Sequence, residues 1–351
     1  LIGSNIHFNL SDSIRYQNNL IARINSNGNT QLIQFYTQWK HYFSENLVAS
    51  IGLHNTYFTL NKEYNLEPRA SLSWEFKSGH FLKIGYGRHS QRQPLNLLFY
   101  RDPSGAFPNE QTNRDLGFSK SDHYVVSYAV QPDNPWRFTV EAYYQNLFSI
   151  PVSSESSYSA VNAGADFGIS GEESLINEGR GRNMGIDLTI ERSFKQGFYF
   201  LSTASIFDSK YQDFNKNWHN TAFNTNFQTN VLFGKQFDLN DANFISIDIQ
   251  NTWAGGRRYT PIDLELSQNE GEAVFKAEAP YSEQFRDYFR LDLKVSYRSN
   301  SDKTMQEWAL DLRNITNRKN AFAQQFDPIE NKINTIHQIG FFPTIFYSLY
   351  F

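Results

Sequence analysis

From Phe289 to Arg298 apolar and polar residues alternate without a break. Phe289, Leu291, Leu293, Val295 and Tyr297 stand against Arg290, Asp292, Lys294, Ser296 and Arg298. A period of two puts these sets on opposite faces of a β-strand. The pattern recurs. Trp136, Phe138, Val140, Ala142, Tyr144 and Phe148 oppose Arg137, Thr139, Glu141, Tyr143 and Gln145. Leu66, Pro68, Ala70, Leu72, Trp74 and Phe76 oppose Glu67, Arg69, Ser71, Ser73 and Glu75. Met184, Ile186, Leu188, Ile190 and Phe194 oppose Asn183, Gly185, Asp187, Thr189 and Glu191.

The alternation predicts thirteen strands, at 29–43, 46–60, 66–77, 80–90, 121–131, 135–148, 182–194, 197–209, 221–237, 242–254, 287–298, 304–316 and 335–351, with 1–10 a candidate fourteenth. Most are longer than the five or six residues, roughly, of ordinary strands. About 9–11 tilted residues cross a bilayer. The fold class expected is therefore all-β, an antiparallel transmembrane barrel. Turn-forming residues fill short connections at 44–46, 77–79, 131–135, 195–197, 238–242 and 299–303. Most of the others are long: 91–120, 149–181, 210–220, 255–286 and 317–334. Short periplasmic turns and long outer loops give this rhythm in outer-membrane barrels.

Composition agrees. Aromatic residues make up 16% of the chain and charged residues 19%. Rings gather near strand ends, as at Trp39, Phe43, Trp136, Phe148 and Trp253, where interfacial girdles place them. A net charge of -4 argues against nucleic acid as a partner. No cysteine is present, which excludes disulfides and thiolate metal sites. No run of apolar residues is long enough for a membrane-spanning helix, and the start at Leu1 reads neither as a signal peptide nor as a natural beginning. The eight His residues lack zinc-ligand spacing. Gly85-Tyr86-Gly87 lies within a strand, and Gly168-Ile169-Ser170-Gly171 lacks the full nucleophile-elbow pattern. No catalytic constellation, metal site or cofactor is expected, so the chain does not read as an enzyme. It ends on an alternating strand, with Phe341, Pro343, Ile345, Tyr347, Leu349 and Phe351 on one face.

Several short motifs occur in order: Leu-Glu-Pro-Arg at 66–69, Gly-Tyr-Gly-Arg-His-Ser at 85–90, and Asn-Glu-Gly-Arg-Gly-Arg-Asn at 177–183. Ala-Gly-Gly-Arg-Arg-Tyr-Thr-Pro-Ile-Asp at 254–263, Tyr-Phe-Arg-Leu-Asp-Leu at 288–293, Leu-Asp-Leu-Arg-Asn-Ile-Thr-Asn at 310–317 and Gly-Phe-Phe-Pro at 340–343 follow. With them the chain resembles the C-terminal part of a TonB-dependent outer-membrane receptor of the kind abundant in Bacteroidetes. The resemblance covers nearly all of 29–351 and implies a Gram-negative outer membrane. It also implies a barrel of about 22 strands, within the range such barrels reach, and an N-terminal plug that engages TonB. This sequence offers no candidate plug. Residues 1–351 are expected to be one C-terminal barrel portion, with 1–28 a partial strand and outer loop and 29–351 barrel strands. The implied function is TonB-coupled uptake of a scarce nutrient: an iron chelate, cobalamin, glycan or peptide. The alternative is a complete, passive 14-stranded channel; a soluble β-rich adhesin stands further off.

The polar strand face supplies candidates for a lumen wall that meets the plug: Glu67, Arg69, Arg137, Glu141, Asp187, Glu191, Arg290, Asp292, Glu307, Asp311 and Arg313, with Glu75 and Lys294 beside them. On the lipid face an Arg or Lys at mid-depth costs about 2–4 kcal/mol. Aromatic and charged loop residues are candidates for capturing an unknown nutrient ligand: Tyr100, Arg101, Arg257, Arg258, Tyr259 and Asp263. Phe99, Asp102, Phe107, the serines of 153–159, Glu172 and Glu173 accompany them. The carboxylates of 263–272 do not have EF-hand spacing. By the same resemblance Phe351, Leu349 and Tyr347 are read as the signal for the barrel-insertion machinery. Outer-membrane lipid is the remaining partner.

Overall fold

The computed structural model describes residues 2–16, 19–102, 110–165 and 173–351. Phe107, Glu172 and Gly168–Gly171 lie outside the described residues. In chain order the strands are β1 (Ile2–Tyr16), β2 (Asn19–Ser44), β3 (Leu47–Phe58), β4 (Glu63–Lys77), β5 (His80–Gln91), β6 (Ser119–Val130), β7 (Trp136–Ser153), β8 (Leu175–Lys195), β9 (Phe198–Gln212) and β10 (Trp218–Asn220). There follow β11 (Phe227–Asp238), β12 (Asn243–Ala254), β13 (Arg258–Tyr259), β14 (Glu283–Gln284), β15 (Tyr288–Asn300), β16 (Met305–Arg313), β17 (Ala321–Asp327), β18 (Lys332–His337) and β19 (Phe342–Tyr350). Two short helices, α1 (Leu95–Leu98) and α2 (Leu264–Glu270), lie in the long connections.

Fourteen strands pair side by side in sequence order, β1 to β9 and then β11, β12, β15, β16 and β19, while β10 pairs with β9. Neighbouring pairs are antiparallel. Among the described residues β1 pairs with β2 alone and β19 with β16 alone. The sheet is therefore open, with an edge at each end. A self-contained 14-stranded channel requires those edges to pair with each other, and among the described residues no such pairing is present.

The register carries the two-faced pattern across the sheet. Residues opposite one another share a face. His54 pairs with Glu67, Arg69 with Gly87, Gly87 with His123, His123 with Gln145 and Glu141 with Asp187. Asp187 pairs with Ser205, Ser205 with Gln228, Gly234 with Asp248, Asp248 with Lys294, Lys294 with Asp311 and Asp311 with Thr344. One polar face thus runs from β3 to β19. The opposite face carries Phe35, Trp39, Ile51, Leu72, Ile84, Val126, Val140, Ile186, Leu188, Ile206, Ile249 and Ile345.

Burial is inverted relative to a water-soluble domain. Ile345 is 81% exposed, Ile206 74% and Ile186 58%, whereas Glu67 is 3% and Asp292 8% exposed. An apolar band of this extent is stable only against lipid or protein. The ordinary hydrophobic cluster, Phe58, Leu97, Leu98, Leu116, Phe118 and Leu175, packs α1 and the adjoining long connection against the ends of β3 and β8.

The short turns follow the sequence. Gln196 and Gly197 both have positive φ, 56° and 76°, and join Lys195 to its partner Phe198. Two left-handed residues make the turn whose twist suits a two-residue hairpin. At the other end the structure corrects the expectations. Residues 1–28 are not a partial strand and loop: β1 and the first part of β2 form a ladder from Ile2–Gln34 to Tyr16–Asn19. β3 and β4 are joined by the short segment 59–62, an exception to the long loops. β7 continues to Ser153 and β8 starts at Leu175, shortening the expected 149–181 loop. The strand expected at 221–237 begins at Phe227, after left-handed Asn226. That at 304–316 stops at Arg313, before left-handed Asn314. That at 335–351 divides into the end of the β17–β18 hairpin and β19. The break is held by Asn320 O accepting from Gln338 N at 2.8 Å and Asn317 Oδ1 accepting from Phe341 N at 3.0 Å.

Candidate functional site

At the long-loop end, three connections converge on a cavity of about 560 Å³. Ser156 to Asn162 and Glu173 come from the β7–β8 loop, Arg257 to Thr260 and Phe275 to Phe285 from the β12–β15 loop, and Phe322 to Gln324 from β17. Tyr211, fully buried at the end of β9, donates its hydroxyl to Ser157 O at 3.0 Å. Ser157 Oγ donates to Ala277 O at 3.2 Å. Side chains thus tie loops together where no ladder does.

β13 sets the charged wall. Arg258 Nε donates to Asn224 O at 2.8 Å and its Nη2 to Asn226 Oδ1 at 3.0 Å. Arg257 Nη2 donates to Ala165 O. Tyr259 stacks on Phe285 with centroids 4.2 Å apart and planes at 25°. Burial raises the Tyr259 hydroxyl above its ordinary value, and the charge of Glu283 adds to this. The phenol is therefore neutral at physiological pH and available as donor or acceptor. Burial lowers Arg258 from the usual arginine value, opposed by the Asp208 carboxylate. The cavity offers aromatic faces, serine hydroxyls and guanidinium edges, a set suited to a ligand with rings and acceptor oxygens.

Of the six loop candidates, Arg257, Arg258 and Tyr259 meet here, while Tyr100, Arg101 and Asp263 do not line the cavity. Asp263 caps α2, its Oδ1 accepting from Leu266 N at 3.0 Å. Tyr100 is buried beside the α1 cluster, and Arg101 N donates to Arg23 O at 2.8 Å. Sequence reading overlooked Tyr211, Tyr281, Phe285 and Phe322. Their only signal is an aromatic ring at a strand end or in a loop.

The polar face has two concavities. The first, about 590 Å³, is lined by Arg69, His54, His89, His123 and the glycines Gly52, Gly85 and Gly87. A Cβ on Gly85 would meet no atom within 4 Å, so Gly85 opens onto free space in the wall, whereas a Cβ on Gly87 would come within 3.0 Å of His89 Nε2. Glu67 sits at its edge, 2.9 Å from His54 Nδ1 and 3.0 Å from Arg69 Nη2, and Asn65 and Ser90 donate to it as well. The second, about 340 Å³, gathers Arg290, Asp292, Asp311 and Arg313 with Asp248 and Lys294. Arg290 pairs with Asp292 at 2.9 Å, Arg313 with Asp311 at 3.2 Å and Arg298 with Glu307 at 2.7 Å. Between the two concavities Arg137 lies opposite Glu191, and Glu141 lies opposite Asp187. Asp187 Oδ1 is buried and accepts no hydrogen bond among the described residues. A carboxylate facing another is unfavourable. All eleven strand candidates therefore lie on one face. A further concavity of about 780 Å³ opens among Ile51, Leu72, Ile84, Val126 and Tyr144 on the apolar side.

The model of the family described as "TonB dependent receptor-like, beta-barrel" matches residues 3–317. The chain belongs to this family. Solved structures agree in fold. The ferric preacinetobactin receptor BauA of Acinetobacter baumannii is 12% identical with a TM-score of 0.59, over 92% of this chain and 43% of that one. The ferripyoverdine receptor of the outer membrane of Pseudomonas aeruginosa is 10% identical with a TM-score of 0.62, over 92% and 38%. The iron transporter FrpB of Neisseria meningitidis is 10% identical with a TM-score of 0.62, over 93% and 46%. The chain spans less than half the length of these proteins. No curated protein matches it in sequence.

Proposed function

We propose that the chain is the C-terminal part of the barrel of a TonB-coupled uptake receptor in a Gram-negative outer membrane, carrying a scarce nutrient inward. The apolar face meets outer-membrane lipid. The polar face lines the lumen and receives an N-terminal plug, through which TonB acts. The unpartnered Asp187 Oδ1, with Glu141 opposite it, carries this reading: an acidic site on a wall whose Glu67, Asp292, Glu307 and Asp311 are ion-paired fits a cation supplied by another domain. Open edges at β1 and β19 fit further strands of the same barrel. Phe351, Leu349 and Tyr347 serve the insertion machinery. The affinity with the Bacteroidetes type rests on the motifs.

The loop cavity captures the ligand. Ring faces at Tyr259 and Phe285 with guanidinium groups at Arg257 and Arg258 suit an anionic, ring-bearing ligand, and the names of two related receptors favour a ferric chelate among the nutrient classes. The test is accumulation of radiolabelled iron, offered as a panel of ferric chelates, in cells carrying the full-length receptor. Accumulation should cease with a protonophore or without TonB. Uptake that reaches only equilibrium and ignores both treatments would contradict the proposal.

A further inference from the structure

Above the apolar face, at the long-loop end of β15, lies a second loop cleft of about 580 Å³. Arg286, Arg318, Lys319 and His337 line it, with Asp287 as the one carboxylate there. With His337 neutral the lining carries a net charge of +2. Arg318 Nη2 donates to the main-chain oxygen of Asp287 at 2.7 Å. Among the described residues Arg286, Arg318 and Lys319 form no ion pair. Some other cations on the outward side at this end are paired, Arg88 with Asp122 at 2.7 Å and Arg182 and Lys210 with Asp208 at 3.9 and 3.8 Å, whereas Lys120 and Arg180 form no ion pair among the described residues.

The depth of the cleft is fixed by Phe289. This residue is the first outward-facing one of β15, above Leu291 and Leu293 and opposite Trp253. The Arg318 guanidinium lies 6.0 Å from the centre of its ring. Buried Asn320 locks the arrangement, donating to Phe289 O and accepting from Phe289 N, both at 3.0 Å. Unpaired cations therefore sit one layer above an aromatic girdle, at the level of lipid headgroups.

We propose that this cleft binds the phosphate monoester of a lipid headgroup in the outer leaflet. Phosphate monoesters carry up to about two negative charges near neutrality, and guanidinium forks match their oxygens. A lipid is chosen over soluble phosphate because the apolar face begins directly below the cleft, where acyl chains run. The inference rests on the outer-membrane reading above.

The test uses the full-length receptor in nanodiscs of phosphatidylcholine doped with phosphatidic acid, with retained lipid counted by native mass spectrometry. Wild type should enrich phosphatidic acid about tenfold. The R286Q/R318Q/K319Q variant should lose the enrichment, and K77Q/K195Q/K303Q, which removes equal charge at the short-turn end, should keep it. Heat-modified gel migration checks that each variant is folded. Equal enrichment, or equal loss, in both variants would overturn the proposal. So would displacement of the lipid by inorganic phosphate as readily as by short-chain phosphatidic acid. A wild-type receptor that fails to enter the bilayer overturns the membrane reading as well, whereas one that inserts without preferring phosphatidic acid overturns this inference alone.

Discussion

Leu188 and Thr189 are neighbours on β8, and the sheet gives them opposite surroundings. Leu188 lies between Val140 and Ala204 on the apolar face, midway between the Trp136–Arg192 pair and the Tyr144–Met184 pair. Thr189 lies between Thr139 and Thr203 on the polar face, two residues from both Asp187 and Glu191. Arg at Leu188 enters the middle of the hydrocarbon layer and should cost about 2–4 kcal/mol. The folded-to-unfolded ratio falls about 30- to 1,000-fold. Arg at Thr189 gains two carboxylates and should change stability by less than about 1 kcal/mol. If the apolar face met water, the half-exposed Leu188 would tolerate Arg to within about 0.5 kcal/mol. Reversible urea unfolding of the full-length receptor in phospholipid vesicles, followed by tryptophan fluorescence, measures both variants. Equal costs at the two positions would refute the reasoning.

Further outcomes are expected elsewhere. Asn320→Ala leaves Phe289 N and O without their partner and should destabilise by about 1–3 kcal/mol, read in the same unfolding assay. Asp187→Asn should weaken recovery of the N-terminal plug domain with the barrel after protease nicking between them, whereas Asp238→Asn at the short-turn end should not. Removing Phe351 should slow membrane assembly in a pulse-chase experiment without altering the unfolding midpoint of protein already inserted. Asp213, in the β9–β10 turn, is buried, which raises its carboxyl, yet its bonds to His219 and Asn217 hold it below the usual range. A depressed pKa contributes stability that is present above the unfolded value and lost as pH falls through the folded one. Amide exchange at Asn217 should therefore become less protected on acidification below about pH 4, near the unfolded aspartate value, and Asp213→Asn should abolish that dependence.

The strands were legible because an apolar face on one side and polar contacts on the other impose a period of two over most of their length. The Phe289–Arg298 run shows why: each outward residue must be apolar, so the chain writes its own register. That constraint lapses beyond the apolar band. β7 beyond Phe148 and β8 before Arg182 keep pairing without strict alternation, and their register shifts at Ile150 and Val152 blur the pattern. Conversely, 335–351 holds apolar residues on both sides of a break, Ile336 in the loop hairpin and Phe342, Ile345 and Phe346 in the last strand, so the sequence does not mark where one ends and the other begins. Asn226 and Asn314 end their neighbourhoods through left-handed backbone, which an asparagine permits but does not announce. The polar wall was readable for the same reason as the strands. The loop cavity was only half readable: Arg257, Arg258 and Tyr259 are adjacent in sequence, but Tyr211 and Phe285 reach it through loop packing across many residues.

The absence of cysteine allows the two-faced sheet to be tested residue by residue. Single cysteines placed from Asn183 to Arg192 in the full-length receptor, labelled with an environment-sensitive fluorophore and reconstituted with brominated lipid, report contact with acyl chains. The account predicts quenching at positions 184, 186, 188 and 190 and little at 183, 185, 187, 189 and 191. Quenching that is uniform, absent or in the opposite phase would contradict it.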